Sequence, residues 1–506
     1  MVRGRRQTIA DGLAAWLRSS VSIIISEMRS LTLALFLTVG LGAPAVAGQV
    51  RAPQAAPPAE KDPTYLFLLG RHLEGEGKMD EAIAAHKQAI ALAPKSAELR
   101  AELAGLYART DKAQEAMTTA QEAVALDPNN QEANKILGTI YAALAEQRQA
   151  IAPGDNPADY PARAIAALEK ARKDDAFDIN LDLMLGRLYA QTGAFEKALP
   201  LLRHVVDDQP QYQEGALLLA AAQESAGKPD DALETLRQTL RMNPEFYRGQ
   251  LRLAETAERA GKWDDAAAAL EKALTLNPRN TALLPRRAIA LLNGGKAGDA
   301  RAILQKLVDS SASPDAAMLY LLAESQRAAK DLAAAEATAR KILAANPKDK
   351  RGLHAMSSIQ QERGDVKGAE ATLRDLVSQD PQDANALNSL GYLLAERGDR
   401  LDEAVQLLQR AVKIDPENPS FLDSLGWAYF QQGRLTDADQ PLTRAAAQLQ
   451  SSSVVQEHLG DLRFKQQRFA DAAKAWERAL SGDGQSVDRA KIEKKIRDAR
   501  SRMAPQ

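Results

Sequence analysis

The sequence predicts an all-α, right-handed α-solenoid of about twelve helical hairpins with a C-terminal capping helix. Three observations lead to this fold class. Residue spacings repeat every 34 positions, helix-forming residues dominate the composition, and 506 residues are too many for one compact core. A fixed period of roughly 20 to 50 residues indicates an array in which each unit buries its apolar side against its neighbours.

Prolines mark the period. Within three parts of the chain they stand 34 residues apart: Pro94 and Pro128; Pro210, Pro244 and Pro278; and Pro347 and Pro381. Proline has no N–H to donate and its ring clashes with the preceding helical turn, so each of these residues is expected to follow the end of a helix.

Small residues recur in register with the prolines. Twelve positions before each proline lies an alanine: Ala82, Ala116, Ala198, Ala232, Ala266, Ala335 and Ala369. Twelve positions earlier lies another small residue: Gly70, Ala104, Gly186, Ala220, Ala254, Ala323 and Ser357. Only small side chains let two helices cross at the short end of ordinary interhelical distances. Glycines such as Gly193 and Gly227 lie between the two positions, where a left-handed turn residue is expected. Each unit is therefore predicted to be a helical hairpin.

The residues Leu185, Gly186, Tyr189, Ala198 and Pro210 together resemble the tetratricopeptide repeat (TPR). Twelve such units tile the chain without gaps: 63–96, 97–130, 131–178, 179–212, 213–246, 247–280, 281–315, 316–349, 350–383, 384–418, 419–452 and 453–486. The third unit contains an inserted loop, predicted within residues 145–161. Residues 487–506 are predicted to be an amphipathic capping helix and a tail, because the last unit of an array needs a polar cover.

The N-terminal residues 1–47 are predicted to be an extension and a signal peptide. An apolar run from Leu31 to Leu41 precedes Ala45 and Ala47, the small residues expected before a signal-peptidase site. We therefore expect cleavage after Ala47 and a periplasmic location, with Met28 as an alternative start. The Pro- and Ala-rich residues 48–62 are predicted to be a disordered linker. The alternative is an uncleaved membrane anchor, although the run is shorter than the roughly 20 residues that span a bilayer.

The composition excludes several classes of function. Lys and Arg number 65 against 67 Asp and Glu, so no global basic field exists to attract nucleic acid. Cysteine is absent, which excludes disulfides and the lipid-bearing residue of a bacterial lipoprotein. No zinc-protease, phosphate-loop or nucleophile-elbow motif occurs. The sequence thus predicts no catalytic residue, no metal site and no cofactor, and it predicts proteins as partners.

In TPR proteins the first helices of the hairpins line a concave groove, so the resemblance implies a binding surface there. In the last three units the groove positions combine aromatic and hydrogen-bonding side chains, which are favoured interface anchors. The candidate binding residues are Asn385, Asn388, Tyr392, Asp423, Trp427, Phe430, Glu457, Asp461 and Phe464. The alternative is that the rings pack between neighbouring units, as is expected of Tyr429.

A second, weaker candidate surface combines charges of both signs in units four to six. Its members are Arg187, Glu214, Arg248, Glu255, Glu258 and Arg259. Internal pairing is the favoured interpretation of such a set, and exposed pairs contribute little to stability.

The resemblance extends to bacterial envelope TPR proteins, and it implies a non-enzymatic scaffold or adaptor of the cell envelope that binds a partner segment in the groove. Two alternatives stay open. One is a membrane-tethered assembly or secretion factor whose N-terminus is not cleaved. The other is an enzyme with an unrecognised site, although the repeats leave no stretch of about 100 residues for a separate catalytic domain.

Overall fold

A computed structural model describes residues 62–147, 156–172, 178–484 and 487–503. These residues form 25 α-helices and one short 3-10 helix, and they contain no β-strand. The elements follow one another as twelve pairs of helices and a single last helix, which confirms the predicted fold class. The expected signal peptide, almost all of the linker and the centre of the inserted loop lie outside the described residues.

The chain divides into two compact units, one up to residue 260 and one from residue 261. The first unit contains α1 Pro63–Gly75, α2 Met79–Leu92, α3 Ala97–Arg109, α4 Ala113–Leu126, α5 Gln131–Gln147, α6 Tyr160–Ala171, α7 Ile179–Gln191, α8 Phe195–Asp208, α9 Gln213–Ser225, α10 Pro229–Met242 and α11 Tyr247–Arg259. The 3-10 helix Pro157–Asp159 precedes α6.

The second unit contains α12 Trp263–Leu276, α13 Leu283–Asn293, α14 Ala297–Ser310, α15 Ala316–Ala328, α16 Leu332–Ala345, α17 Lys350–Glu362, α18 Val366–Gln379, α19 Ala384–Glu396, α20 Leu401–Ile414, α21 Pro419–Gln431, α22 Leu435–Gln448, α23 Ser453–Lys465, α24 Phe469–Ser481 and α25 Arg489–Met503. Odd-numbered helices up to α23 are the first helices of the pairs, and even-numbered helices are the second.

Within each unit the helices pack in a repeated pattern. The two helices of a pair pack against each other, as in α1 with α2 and α19 with α20. The second helix of a pair also packs against the first helix of the next pair, and first helices of neighbouring pairs contact each other, as in α19 with α21 and α21 with α23. The first helices α19, α21 and α23 therefore lie side by side and share one face.

Local sequence signals explain where the helices begin and end. The side chain of Asp383 accepts a hydrogen bond from the backbone N–H of Ala386 (3.0 Å) and so caps the start of α19. Gly193 and Gly227 follow the first helices α7 and α9 with φ of 78° and 73°, a left-handed conformation that favours glycine. Pro210 lies two residues beyond the end of α8, as expected of a residue that cannot continue a helix.

Within each of the two compact units, the two helices of a pair cross at the small residues. All seven alanines that the sequence places in register are fully buried, and the same is true of the corresponding residue in the other five units, Ala164, Ala300, Ala404, Ala438 and Ala472. The small residues on the first helices, which face these alanine-bearing second helices, are packed equally tightly. A Cβ atom added to Gly186 would lie 2.7 Å from the side chain of Leu202, and one added to Gly391 would lie 2.6 Å from Cγ of Leu408. The crossing therefore admits no larger side chain without displacement of its neighbour.

Tyrosines join successive hairpins. The hydroxyl of Tyr429 on α21 accepts a hydrogen bond from Nε2 of Gln409 on α20 (2.9 Å), and the hydroxyl of Tyr141 on α5 accepts one from Nε2 of Gln121 on α4 (3.2 Å). In both cases the partners are 20 residues apart. Tyr429 is buried, so this ring packs between units as expected.

The insertion in the third repeat unit lengthens the first helix of that repeat unit. Helix α5 has 17 residues, whereas α3 has 13. After the residues that are not described, Tyr160 at the start of α6 is buried and its ring stacks on Tyr141 at a centroid distance of 6.0 Å. The described part of the insertion is thus anchored to the hairpin core.

The crossing geometry predicts the effect of one methyl group. Gly391→Ala places Cβ 2.6 Å from Leu408 and 3.1 Å from the carbonyl oxygen of Ala404, which belongs to the backbone. We expect a loss of about 1–3 kcal/mol of stability from overpacking, measured as a lower thermal midpoint by circular dichroism. Gly298→Ala is the matched control, because nothing lies within 4 Å of a Cβ there and α14 gains helix propensity. Equal midpoints for the two variants would contradict the prediction.

Candidate protein-binding surface

The nine candidate residues lie on three neighbouring first helices of the second unit. Helix α19 carries Asn385, Asn388 and Tyr392; α21 carries Asp423, Trp427 and Phe430; and α23 carries Glu457, Asp461 and Phe464. We call these nine residues the α19–α23 surface. Because α19 packs against α21 and α21 against α23, the structure places the three sets next to one another.

A buried histidine lies at the centre of the surface. Nδ1 of His458 on α23 is 3.0 Å from both carboxylate oxygens of Asp423. The indole ring of Trp427 stacks on the imidazole at a centroid distance of 4.1 Å and an interplanar angle of 14°, and the ring of Tyr392 lies 6.5 Å away. His458 therefore brings together three candidate residues from two other helices.

Opposing effects act on the charge of His458. Burial disfavours the imidazolium, but the carboxylate of Asp423, followed by those of Asp461 and Glu457, outweighs burial and raises the pKa of His458 above its ordinary value. Asp423 is itself buried. His458 and Asp423 thus form a buried histidine–carboxylate pair that joins hairpins eleven and twelve, and removal of either residue would leave a buried polar group without its partner.

Tyr392 responds to the same anionic surroundings. Burial raises the pKa of its phenol well above the ordinary value, and the carboxylates of Glu396, Asp423 and Glu457 raise it further. Tyr392 therefore stays a neutral hydroxyl group that can donate a hydrogen bond.

Two polar atoms of the surface have no hydrogen-bond partner. They are Nε1 of Trp427 and Oδ1 of Asn388, and both atoms are shielded from solvent. The Trp427 ring is held between His458 and the ring of Phe430, on which it stacks at 5.0 Å. An unsatisfied buried donor or acceptor costs about 1–3 kcal/mol. The surface therefore holds unused hydrogen-bonding capacity beside its aromatic rings.

The last helix supplies the partners of the α23 carboxylates. Nζ of Lys495 on α25 is 2.7 Å from Oε1 of Glu457 and 2.6 Å from Oδ1 of Asp461. Nε1 of Trp476 donates a hydrogen bond to Asp461 (3.0 Å), and the Lys495 ammonium lies 5.6 Å from the centre of the Trp476 ring. These two carboxylates therefore already hold a lysine of the same chain.

The remaining candidates differ in accessibility. Phe464 packs edge-on against Phe469 at 5.3 Å and lies under the guanidinium of Arg502 at 4.8 Å, so α24 and α25 cover it. Asn385 is exposed, whereas Tyr392, Trp427 and Phe430 are partly buried and Asp423 is buried. Glu457 and Asp461 on α23 are also partly buried, so Asn385 on α19 is the most exposed of the nine residues.

Sequence analysis missed His458, Trp476 and Lys495. His458 follows Asp423 by 35 residues, one repeat and one further position, so a search for charge pairs across adjacent repeats could have found it. No comparable signal exists for Lys495, because α25 lies outside the repeat and its register on α23 does not follow from the 34-residue spacing.

The mixed-charge set of repeat units four to six, which lies in the first compact unit, is internally paired. Arg248 bonds Glu214 (3.0 Å), Arg187 bonds Glu146 (3.1 Å), and Arg259 bonds Glu224 (3.1 Å). Each bond connects different hairpins. The favoured interpretation of this set, internal salt bridges between exposed side chains, is therefore confirmed for these residues.

The described part of the chain contains neither a candidate metal site nor a candidate membrane span. No group of three or more His, Asp or Glu side chains is arranged to hold a metal ion there. Within the same residues, no helix combines the length and the apolar character that a membrane span requires.

Family models identify the repeat. One model described as a tetratricopeptide repeat matches residues 160–213, 217–281 and 355–419, and a second with the same description matches 73–144, 257–325 and 393–462. Together they cover more than half of the chain. The chain belongs to the tetratricopeptide repeat family. TPR proteins are generally protein–protein interaction scaffolds, and the TPR fold is generally non-catalytic.

Several solved structures are similar to this chain at low sequence identity. The yeast Tom70 structure is 13% identical, covers 87% of this chain and 95% of its own, and has a TM-score of 0.42. A Naa15/Naa10 complex bound to HypK-THB is 14% identical over 86% of this chain and 75% of the other, with a TM-score of 0.41. YrrB, described as a TPR protein with an unusual peptide-binding site, is 20% identical over 40% of this chain and 96% of its own, with a TM-score of 0.34. No curated protein sequence matches this chain significantly.

The ion pair of His458 predicts a pH dependence. Folding raises the pKa of His458 above the value of about 6.5 that a histidine has in the unfolded chain. The stabilisation that the pair of His458 and Asp423 provides is therefore fully present below a pH of about 6.5. It is lost as the pH rises through the pKa of His458 in the folded protein. We expect the difference in melting temperature between wild type and His458→Gln to decrease from pH 6 to pH 9. His72→Gln is the control, since His72 is largely exposed. A difference that stays constant over this range would show that His458 is not charged in the fold.

Proposed function

We propose that this TPR protein is a non-enzymatic scaffold of the bacterial cell envelope that binds a partner segment on the α19–α23 surface. The proposal rests on the side chains that this surface presents. Tyr392, Trp427 and Phe430 are partly buried rings on the shared face of α19 and α21, beside polar groups that lack partners. Large aromatic side chains next to hydrogen-bonding groups are the most frequent anchors of protein interfaces.

The arrangement favours a segment rather than a small molecule. The face formed by α19, α21 and α23 runs across three hairpins, so a ligand that contacts Asn385, Phe430 and Glu457 together must be extended or helical. Such a ligand could satisfy Oδ1 of Asn388 and Nε1 of Trp427 with backbone N–H and C=O groups, after a small movement of these side chains.

The envelope location is supported by the N-terminal sequence. An apolar run, Leu31 to Leu41, and small residues at Ala45 and Ala47 have the pattern of an export signal. We propose that the mature protein begins at Gly48 and acts in the periplasm. A chain that keeps residues 1–47 would instead be a membrane-tethered assembly or secretion factor with the same binding surface.

Site-specific photo-crosslinking tests the surface. We expect a crosslinking amino acid at exposed Asn385 on α19 to capture a partner, whereas one at exposed Lys367 on α18, a second helix, captures none. In the Trp427→Ala and Phe430→Ala double variant the adduct at Asn385 should fall about tenfold, because a central aromatic anchor is worth more than 1 kcal/mol.

Circular dichroism of the double variant controls for folding. If both positions gave the same adducts, or if a folded double variant kept the adduct at Asn385, the α19–α23 surface would not be the binding site.

N-terminal sequencing of the protein from envelope fractions tests the location. We expect a first residue of Gly48 and recovery with the soluble periplasmic fraction. Ala47→Leu should slow processing and retain the protein on the membrane, since a large residue at this position blocks signal-peptidase cleavage. If the wild-type protein from the envelope fraction still carried residues 1–47, the membrane-tethered factor would be favoured.

A further inference from the structure

The α19–α23 surface is anionic around its centre. The groups that act on Tyr392 and His458 are four carboxylates, those of Glu396, Asp423, Glu457 and Asp461. Two groups that can carry positive charge face them, the His458 imidazole and the Lys495 ammonium. The cluster therefore keeps a net negative charge. Glu396 lies at its exposed edge and forms no ion pair with any described residue.

The structure contains an example of how this surface holds a cation. The Lys495 ammonium lies between Oε1 of Glu457 and Oδ1 of Asp461 and faces the Trp476 ring. A carboxylate pair and an aromatic face are the partners that a desolvated ammonium or guanidinium group requires. Lysine and arginine stems also pack along apolar rings while the charged head reaches polar groups. The partly buried ring of Phe430 on α21 offers such packing one first helix away from these carboxylates, and the ring of Tyr392 on α19 lies one first helix further.

The position of Lys495 follows from the repeat. In hairpin eleven the carboxylate of Asp423 is paired by His458 from the next hairpin. Glu457 occupies the corresponding position in hairpin twelve, where the chain continues as the single helix α25, and Lys495 of α25 supplies the missing positive charge. This lysine is held less firmly than His458, because its side chain and its two partners remain partly exposed.

We propose that the α19–α23 surface selects a partner segment with a lysine or arginine side chain, and that Lys495 of α25 competes with that side chain for Glu457 and Asp461. The proposal rests on the proposed function and specifies its partner. An acidic segment would bring further negative charge against the four carboxylates and would be disfavoured. Binding of the basic segment displaces the Lys495 ammonium, which then returns to solvent beside the exposed Lys494.

The test uses the full chain and two labelled peptides. The first peptide has the sequence of residues 487–503, whose lysine is known from the structure to fit the site, and the second has every Lys and Arg replaced by Gln. In fluorescence anisotropy at low salt, we expect the basic peptide to bind Lys495→Ala about five- to tenfold more tightly than wild type. Lys494→Ala is the matched control, because this neighbouring lysine is exposed and contacts neither carboxylate; it should bind like wild type.

Further variants distinguish the loss of the Lys495 charge from a loss of folding. Lys495→Gln removes the charge but keeps a hydrogen-bond donor for Glu457 and Asp461, and it should also bind the basic peptide more tightly. Adding Glu457→Gln and Asp461→Asn to Lys495→Ala should abolish the gain. Circular dichroism must show unchanged helicity in each variant that is compared.

The opposite results are equally informative. Equal affinity of Lys495→Ala and Lys494→Ala, or equal binding of the Gln-substituted peptide, would overturn the proposal. It would also be overturned if no folded variant bound the basic peptide. The proposed function would survive all three results if the crosslink at Asn385 still formed, since the partner would then be recognised without a cationic side chain.

Discussion

The close crossing of two helices at a pair of small residues is the constraint on which the rest of this structure depends. Gly391 can face Leu408 only because it lacks a Cβ, and Ala404 is fully buried in the same contact. The crossing fixes the angle and the register of each hairpin. The register in turn decides which residues of the first helix face the next hairpin and which remain on the shared outer face. The position of Trp427, and hence the binding surface, is set by the crossing at Gly426, where an added Cβ would lie 2.5 Å from Leu442.

The sequence predicts the hairpins well because the crossing leaves a one-dimensional signature. Prolines, alanines and small residues 34 positions apart reveal helix ends and contacts without any knowledge of three-dimensional neighbours, and the same contact recurs in units such as that of Ala300, where the proline signal is missing. Tyr429 was also predictable, since its position in the repeat assigns it to the contact between hairpins.

The candidate surface was only partly predictable. Repeat positions place Tyr392, Trp427 and Asp423 on neighbouring first helices, and the structure brings them together as that pattern implies. Their exposure depends on side chains from other helices. His458 covers Asp423 from the following hairpin, and Lys495 reaches Glu457 from outside the repeat. Such contacts depend on how far each side chain extends across the crossing, which spacing alone does not encode.

The end of the array differs from its interior in how a carboxylate on a first helix is paired. An interior carboxylate such as Asp423 is paired with His458 of the next hairpin, and both side chains are buried. The corresponding Glu457 in the last hairpin depends on α25, whose buried residues Ile492 and Ile496 contact one hairpin instead of two. A cation that arrives from a partner therefore competes with ion pairs whose side chains are 16–20% exposed, and not with the more deeply buried pair of Asp423 and His458. The most easily exchanged positive charge, that of Lys495, thus lies next to the aromatic rings of hairpins ten and eleven. A change in α25 therefore alters the surface without any change in the hairpins themselves.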